Sequence, residues 1–207
     1  MKSNENFAHW YRRAIHAFGA VFLVYYLIPS EGLLNTIKIT ATLSIITIFG
    51  IIEIMRIKKI INLFGSRVYE NERVASYFYF GIGVTILLIF FPQQIAVPSI
   101  LCAAFADPAV GELRVRIGKK NAYLFMFLLS FVLFFIIWNN APSPFFIIVP
   151  FLGAIGVLAG EIGNFRWIDD DLLIQIVPAV LISVLYLAAS LNGIALLPNP
   201  IIHPLGG

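Results

Sequence analysis

The chain has 207 residues, of which 60% are hydrophobic and 12% are charged, and its mean hydropathy is +0.91. Soluble domains carry about 25% charged residues, so this composition excludes an ordinary soluble domain and predicts an integral membrane protein. The formal net charge of +3 bears on membrane topology and anionic headgroups rather than on nucleic acid. The single cysteine, Cys102, cannot form an internal disulfide.

Apolar runs of the length that a bilayer requires, roughly 17 to 25 residues, recur along the whole chain. They predict an all-α, polytopic membrane protein with about seven transmembrane helices in one transmembrane domain, residues 1–207. In chain order the predicted spans are residues 14–28, 33–55, 74–91, 95–106, 122–138, 145–160 and 172–191. Three of these spans are short or contain Gly and Pro, a pattern typical of helices that break to line a polar cavity.

The charged residues indicate how these spans are oriented. Of the 14 Lys and Arg residues all except Lys38, and of the 11 acids all except Glu31, fall on the face that carries the N-terminus. The positive-inside rule makes that face cytoplasmic and leaves the C-terminus outside. Because the rule says little about acids, their accumulation on the same face suggests a site. Its predicted segments are residues 1–16, 53–73, 106–121 and 161–171.

The densest charged stretch, residues 106–121, lies between two apolar runs. Its acids, cations and glycines are Asp107, Gly111, Glu112, Arg114, Arg116, Gly118, Lys119 and Lys120. Lys and Arg neutralise phosphate oxygens, carboxylates bind a hard cation, and the flexible backbone of Gly lets N–H groups approach a ligand. Together with the segments below, the stretch favours a magnesium–polyphosphate site over the alternative, a basic loop that only fixes topology.

Two smaller charged groups lie on the same predicted face. Arg12, Arg13 and His16, at the start of the first span, fit a phosphate or a lipid headgroup; the alternative is an ordinary basic anchor. Glu53 and Arg56, at the end of the second span, are spaced to form an ion pair. An acid so close to hydrocarbon is functional by default, but a structural pair is an equally good interpretation.

Asp169, Asp170 and Asp171 follow Glu161 just before the seventh span. Three adjacent carboxylates repel one another unless a cation lies among them, and Mg²⁺ is the natural candidate because it binds through one or two carboxylates and leaves its other positions to water and phosphate. One aspartate could also accept the proton of an attacking hydroxyl. The alternative is a helix N-cap, which needs one aspartate rather than three.

Taken in order, these segments resemble the polyprenol kinase family, which includes dolichol kinase, phytol kinase and the CTP-dependent diacylglycerol kinases, and is more distantly related to CDP-lipid cytidylyltransferases. Each motif alone is weak, but five in order over residues 12–172 are fairly specific. The motifs are Arg12-Arg13-Ala14-Ile15-His16-Ala17-Phe18-Gly19; Glu53-Ile54-Met55-Arg56; Arg67 to Glu72; Ala106-Asp107-Pro108-Ala109 with Gly111 and Arg116-Ile117-Gly118-Lys119; and Glu161 with Ile168-Asp169-Asp170-Asp171-Leu172.

Three features depart from the family pattern. Ala106 stands in place of a Gly and Asp171 in place of an Asn. The Glu-Gly-Ser element that usually follows the Gly-Lys segment does not occur, because Lys119 and Lys120 lead directly into the fifth span.

The resemblance implies transfer of the γ-phosphoryl group of CTP, with Mg²⁺ as cofactor, to a membrane isoprenoid alcohol of the dolichol or polyprenol kind. The implied partners are a nucleotide and a membrane lipid alcohol, and no nucleic acid. The catalytic residues would be Asp107, Asp170 and Glu161, the last as a base or a supporting group. The metal ligands would be Asp107 and Asp170, with Asp169 and Glu112 secondary. Residues expected to bind the nucleotide or its phosphates are Arg12, His16, Gly111, Arg114, Arg116, Gly118, Lys119 and Lys120.

Two other functional classes stay open. A cytidylyltransferase would use the same CTP and Mg²⁺ with a lipid phosphate as the nucleophile. A transporter or scaffold would have no active site, but the chain shows no internal repeat and no acid in the middle of a predicted span. No retention signal or organelle address is visible, which favours a prokaryotic plasma membrane. The choice of lipid, CTP against ATP, and homo-oligomer formation are not decided by the sequence.

Overall fold

The computed structural model describes residues 10, 13–63, 73–163 and 168–205, and within these ranges the secondary structure is helical. Five helices are long and apolar enough to cross a membrane, and two shorter apolar helices accompany them. This confirms the predicted all-α class, with five helices able to span a membrane, while the number of spans and their orientation stay predictions. In chain order the helices are α1 (Arg13–Leu27), α2 (Gly32–Ile57), α3 (Ser76–Phe90), α4 (Gln93–Ile117), α5 (Lys119–Trp138), α6 (Phe145–Ile162) and α7 (Asp170–Leu191).

The short helix α1 is longer than an α-helix with the same number of residues, because part of it is a 3₁₀ helix. Its second part, Gly19–Leu27, is a 3₁₀ helix of nine residues. A 3₁₀ helix rises about 2 Å per residue rather than about 1.5 Å, so α1 is about 27 Å long instead of about 22 Å. That length approaches the roughly 30 Å thickness of the hydrocarbon layer.

The course of α4 differs from the prediction. The fourth span was predicted to end at Ala106 and to be followed by a flexible backbone over residues 106–121, and the second of these predictions is wrong for Asp107–Ile117. The helix continues through Asp107–Ile117 and ends at Gly118, whose φ of 82° lies in the left-handed region that favours glycine. The charged stretch is therefore the end of α4 joined to the start of α5.

The composition of this stretch explains why it is helical. Pro108 closely follows a π-helical turn, Cys102–Ala106, where the regular hydrogen-bond pattern of the α-helix is already interrupted, so its missing N–H group costs less than elsewhere within a helix. Glu112 and Arg116, four residues apart, form an ion pair of 2.6 Å along the helix surface. A segment with these features extends a helix that has already begun, even though its charges end the apolar run.

The glycines of α6 are packing positions rather than breaks, which corrects the predicted interruption of this helix. A Cβ atom on Gly156 would lie 2.6 Å from Cα of Pro178, and one on Gly160 would lie 2.6 Å from the carbonyl carbon of Leu173. Small residues at these positions let α6 and α7 approach closely. Both helices are continuous through their prolines, Pro150 and Pro178.

Polar contacts distinguish the two ends of the bundle. At one end Trp138 Nε1 donates to the Gln94 carbonyl over 2.8 Å, and Gln94 Nε2 donates to the Pro198 carbonyl over 2.7 Å. Lys38, near the start of α2, donates to Ser30 Oγ over 2.7 Å. The opposite end gathers the remaining charged groups described below.

Candidate functional site

Three helices that are distant in sequence each supply one side chain to a compact cluster, which we call the acidic centre: His16 of α1, Asp107 of α4 and Asp171 of α7. One ligand atom from each residue lies within 4.8 Å of the other two. His16 Nδ1 lies 3.6 Å from Asp171 Oδ1, and Asp171 is only 4% exposed. The two carboxylates are ligands that suit Mg²⁺ or Mn²⁺, whereas the imidazole is a ligand more typical of transition metals, and the residues present therefore fit a divalent cation.

The first turn of α7 separates the roles of its aspartates. Asp169 is the N-cap residue, and its side chain accepts a hydrogen bond of 3.4 Å from the Asp171 N–H group. The N-cap interpretation is thus correct for Asp169. Asp170 is exposed, whereas Asp171 begins the buried stripe of α7 that continues with Gln175 and Pro178. Asp171 is the aspartate grouped with Asp107 and His16, and Asp170 belongs to an adjoining group in which one carboxylate oxygen each of Asp169, Asp170 and Asp171 lie within 4.8 Å of one another.

Gln175 fixes the position of this part of α7. Its Nε2 atom donates to the Asp171 carbonyl over 2.8 Å and to the Phe80 carbonyl over 3.2 Å. A Cβ atom on Gly83 would lie 2.7 Å from the Gln175 amide, so a larger residue at this position would displace that side chain. The Phe80 ring in turn contacts the His16 ring edge-on, with 5.5 Å between the ring centroids. Gln175 thus links α3 and α7 directly beneath the acidic centre.

Asp107 owes its position to an irregular turn in α4. Residues Cys102–Ala106 form a π-helix, and all of them except Phe105 are buried. A π-helical turn inserts an extra residue into the helix and rotates everything that follows, and such turns are frequent at functional sites. Here the rotation comes immediately before Asp107.

Two further ion pairs involve acids that the sequence predicted as site residues. Arg73 Nη2 contacts Asp169 Oδ2 at 2.8 Å, and Glu161 at the end of α6 pairs with Arg114 of α4. The Arg114 guanidinium also lies 4.9 Å from the centroid of the Tyr123 ring. Two of the predicted site acids, Asp169 and Glu161, are therefore already balanced by arginines.

Glu112 was predicted as a secondary metal ligand, and it lies between two guanidinium groups. Its Oε2 atom pairs with Arg13, and its Oε1 atom lies 2.6 Å from Arg116 Nη2. The charge of Glu112 is thus matched by cations of α1 and α4.

The pair Glu53–Arg56 is the anchor of a buried network. Glu53 accepts hydrogen bonds from Arg56 Nε and Nη2, from the Ala75 N–H group and from the Tyr77 hydroxyl, with distances of 2.9, 2.6, 2.7 and 2.6 Å. Arg56 Nη2 also donates to the Arg73 carbonyl over 2.6 Å. The network ties the end of α2 to the start of α3 and holds Arg73, which reaches Asp169. This geometry favours the structural interpretation of Glu53.

The predicted nucleotide-binding residues lie at increasing distance from the acidic centre. Arg114 follows Asp107 by two helical turns, about 10 Å along the axis. Arg116, Lys119 and Lys120 are exposed where α4 meets α5.

The two glycines predicted to bind nucleotide are also exposed, and Arg12 lies outside the described residues. Gly111 lies within the helix, so the predicted reason for its role, a loop backbone open to a ligand, does not apply. Gly118 does have the glycine conformation, at the end of α4.

Sequence reasoning missed Asp171 and Arg73 as parts of this site. Asp171 was predicted only as one of three adjacent aspartates, without a role of its own. Helical periodicity could have identified it, because residues 171, 175, 178 and 182 fall on one face of α7 and all four are buried. Arg73 gives no comparable signal, because its contact with Asp169 joins residues 96 positions apart.

Comparison with protein-family models, with curated proteins and with solved structures finds no match for the chain. The function proposed below therefore depends on the residues, their geometry and the resemblance of the motifs.

Proposed function

We propose that the chain is a magnesium-dependent lipid kinase that transfers the γ-phosphoryl group of CTP to the hydroxyl of a membrane isoprenoid alcohol. The observation that supports this proposal is the acidic centre, where α1, α4 and α7 bring His16, Asp107 and Asp171 together. A divalent-cation site at the charged end of an apolar helix bundle is where a water-soluble nucleotide can meet a membrane lipid. The motif resemblance to polyprenol kinases indicates the donor and the class of acceptor.

The proposal includes an orientation. The helices α1 to α7 would all cross the bilayer, with the N-terminus and the acidic centre on the cytoplasmic side and the C-terminus outside, in agreement with the positive-inside rule. The membrane would be a prokaryotic plasma membrane. Five helices satisfy the length and hydropathy needed for such spans.

The chemistry of the proposed reaction assigns roles to the residues of this chain. A bound Mg²⁺ ion would neutralise and orient phosphate oxygens. Asp107 and Asp171 would hold it, with His16 as a third ligand. The lipid oxygen forms a bond to the γ-phosphorus while the bond from that phosphorus to the β–γ bridging oxygen breaks, which releases CDP. The hydroxyl proton would pass to Asp170, whose exposed carboxylate adjoins the centre.

Cations at the junction of α4 and α5 would bind the nucleotide. Arg116, Lys119 and Lys120 are exposed to water and are not buried by the bundle. Arg and Lys side chains bind phosphate through charge-assisted hydrogen bonds. Because Glu161 is paired with Arg114, we assign it to positioning that arginine rather than to accepting a proton.

The test is phosphate transfer from γ-labelled CTP, with γ-labelled ATP in parallel, to prenols and diacylglycerol by the purified protein with Mg²⁺. A labelled lipid formed from CTP is the expected result. Asp107→Asn should reduce transfer by at least about 100-fold while the protein still folds, as the loss of a metal ligand predicts.

Product analysis distinguishes the alternatives. Pyrophosphate released with a lipid phosphate as acceptor would identify a cytidylyltransferase instead. Transfer from neither nucleotide to either lipid class, with no pyrophosphate released, would contradict an enzyme of this class and favour a transporter or scaffold.

A further inference from the structure

Phe80 of α3 lies between two of the helices that supply the acidic centre. Its ring contacts the His16 ring of α1 edge-on, with 5.5 Å between the ring centroids and 70° between the ring planes. Its backbone carbonyl accepts a hydrogen bond of 3.2 Å from Gln175 Nε2, and the same amide donates to the Asp171 carbonyl. Phe80 is 7% exposed, and its side chain has no ligand atom of its own. One residue of α3 therefore contacts the His16 side chain directly and the Asp171 backbone through Gln175.

The contact with Phe80 is also where α1 is buried in the bundle. Of the described residues of α1, Gly19 alone is buried, whereas its neighbour Phe18 is 66% exposed. A Cβ atom on Gly19 would overlap the Cζ and Cε1 atoms of the Phe80 ring, so the ring occupies the space that a side chain at position 19 would take. Because His16 precedes Gly19 by three residues, both lie on the same side of α1 and both meet the Phe80 ring.

An imidazole needs a fixed orientation to bind a metal ion. The lone pair of its nitrogen lies in the plane of the ring, so rotation of the ring turns the lone pair away from an ion that other ligands hold. Metal-binding side chains are therefore kept in place by the groups around them, through hydrogen bonds or through packing that locks one rotamer. The Phe80 ring packs against the His16 imidazole and supplies a restraint of the second kind.

We infer that Phe80 is a positioning residue of the acidic centre, because its ring holds the His16 imidazole where a nitrogen atom can bind a divalent cation beside Asp107 and Asp171. Gly19 contributes by leaving room for that ring. The inference rests on the metal site of the proposed function, and it adds an apolar residue that no charged motif of the sequence indicates.

The experiment is pulsed electron paramagnetic resonance of Mn²⁺ bound to the full-length protein in detergent. The nitrogen nucleus of a coordinated imidazole modulates the electron spin echo of Mn²⁺, whereas carboxylate oxygen does not. The wild type should show this nitrogen modulation, and His16→Ala should remove it. Phe80→Leu keeps an apolar side chain but removes the flat ring. It should reduce the modulation at least about twofold and weaken Mn²⁺ binding about tenfold, as expected when a residue that orients a ligand is lost.

Gly19→Ala tests whether the effect passes through the Phe80 ring. In the wild-type background the added methyl group displaces the ring and should reduce the nitrogen modulation. In the Phe80→Leu background the same methyl group no longer meets a ring, and it should change the modulation little further. Two independent packing effects would instead add in the double variant and would leave the nitrogen modulation unchanged.

Phe78→Leu is the matched control. Phe78 lies two residues earlier on the same helix, and its ring would lie 3.5 Å from a Cβ atom on Gly50 of α2. The chemical change is the same as in Phe80→Leu, but it occurs on the side of α3 that meets α2. Both the affinity for Mn²⁺ and the nitrogen modulation should stay within about twofold of the wild type. Thermal unfolding of each variant without metal shows which variants are folded.

The outcomes separate the positioning role from the proposed function. Nitrogen modulation that Phe80→Leu reduces and Phe78→Leu does not would support the role of Phe80, even if no phosphate transfer is found. Unchanged modulation and affinity in folded Phe80→Leu would overturn that role while leaving the kinase proposal intact. Should Phe80→Leu not fold, unchanged modulation in Gly19→Ala would overturn it equally.

Two results for the wild type alone would also decide against the role of Phe80. Bound Mn²⁺ without nitrogen modulation would mean that His16 is not a ligand, and Asp107 and Asp171 would remain as the metal ligands. Absence of Mn²⁺ binding would overturn both the positioning role and the metal site of the proposed function.

Discussion

Glu53 and Arg56 lie in the last turns of α2, where a buried charge is costly unless it is paired. Glu53 is 3% exposed, and all of its described hydrogen bonds lead to α2, to α3 or to the residue before α3. The sequence showed the spacing of this pair but not its partners, because Ala75 and Tyr77 are 22 and 24 residues away. The contacts, rather than the spacing, favour a structural role.

Glu53→Gln should therefore destabilise the protein. Removing one charge of a buried pair leaves Arg56 without its counter-charge, and we expect a loss of about 3 kcal/mol in the free energy of unfolding. Adding Arg56→Met should recover part of this loss, since it removes the unpaired charge. The measurement is reversible unfolding in mixed detergent micelles.

Thr47→Ala is the control for this prediction. Thr47 lies on the same helix, and its exposed hydroxyl bonds only the Leu43 carbonyl one turn earlier among the described contacts. A change of less than about 0.5 kcal/mol is expected. If Glu53→Gln were equally harmless, the network would not stabilise the fold.

Glycine residues in α4 and in α6 have different surroundings and therefore different effects on packing. Gly160 faces the backbone of α7 at contact distance, whereas Gly111 lies on an open side of α4, with nothing within 4 Å of an added Cβ atom. Composition alone could not distinguish them, because both lie beside charged residues near the end of an apolar run. The distinction arises from the neighbouring helix.

Opposite stability changes should follow from substituting these two glycines. Gly160→Ala should lower the stability, because the added Cβ atom would lie within 2.7 Å of three backbone atoms of Leu173 and Ile174. Gly111→Ala should raise the stability by about 0.5 to 1 kcal/mol, the usual gain within an exposed helix. Detergent unfolding of both variants gives the answer. A Gly160→Ala variant as stable as the wild type would contradict the close approach of α6 and α7.

Hydropathy predicted the positions of most helices well, and the reason is physical. Apolar runs have to match the thickness of the hydrocarbon layer, so their ends are marked by polar residues, as for residues 145–160 in the prediction and Phe145–Ile162 in the structure. Hydropathy did not predict where the helix α4 ends, because this helix continues beyond the apolar run. Contacts between helices, such as that of His16 with Asp171, depend on which faces meet, and hydropathy contains no such information.

For the molecule as a whole, the collection of charged groups at one end predicts a fixed topology. Cysteines introduced at Lys120 and at His203 should react with a membrane-impermeant thiol reagent from opposite sides of the membrane. We expect Lys120→Cys to react in inverted vesicles and His203→Cys in intact cells, because cations favour the cytoplasmic side. The native Cys102 is buried and should give little background. Reaction of both positions from the same side would contradict the proposed orientation.

The acidic centre depends on structure at every scale. Single side chains form it, the π-helical turn of α4 and the first turn of α7 position them, and three helices meet there at one end of the bundle. Its most direct test is binding of Mn²⁺, a spectroscopic substitute for Mg²⁺, measured by electron paramagnetic resonance on the purified protein. The account predicts one site that Mg²⁺ competes for, about 100-fold weaker in Asp171→Asn and within about threefold of the wild type in Asp170→Asn. Equal affinity in the wild type and in a folded Asp171→Asn variant, or a greater loss in Asp170→Asn, would contradict it.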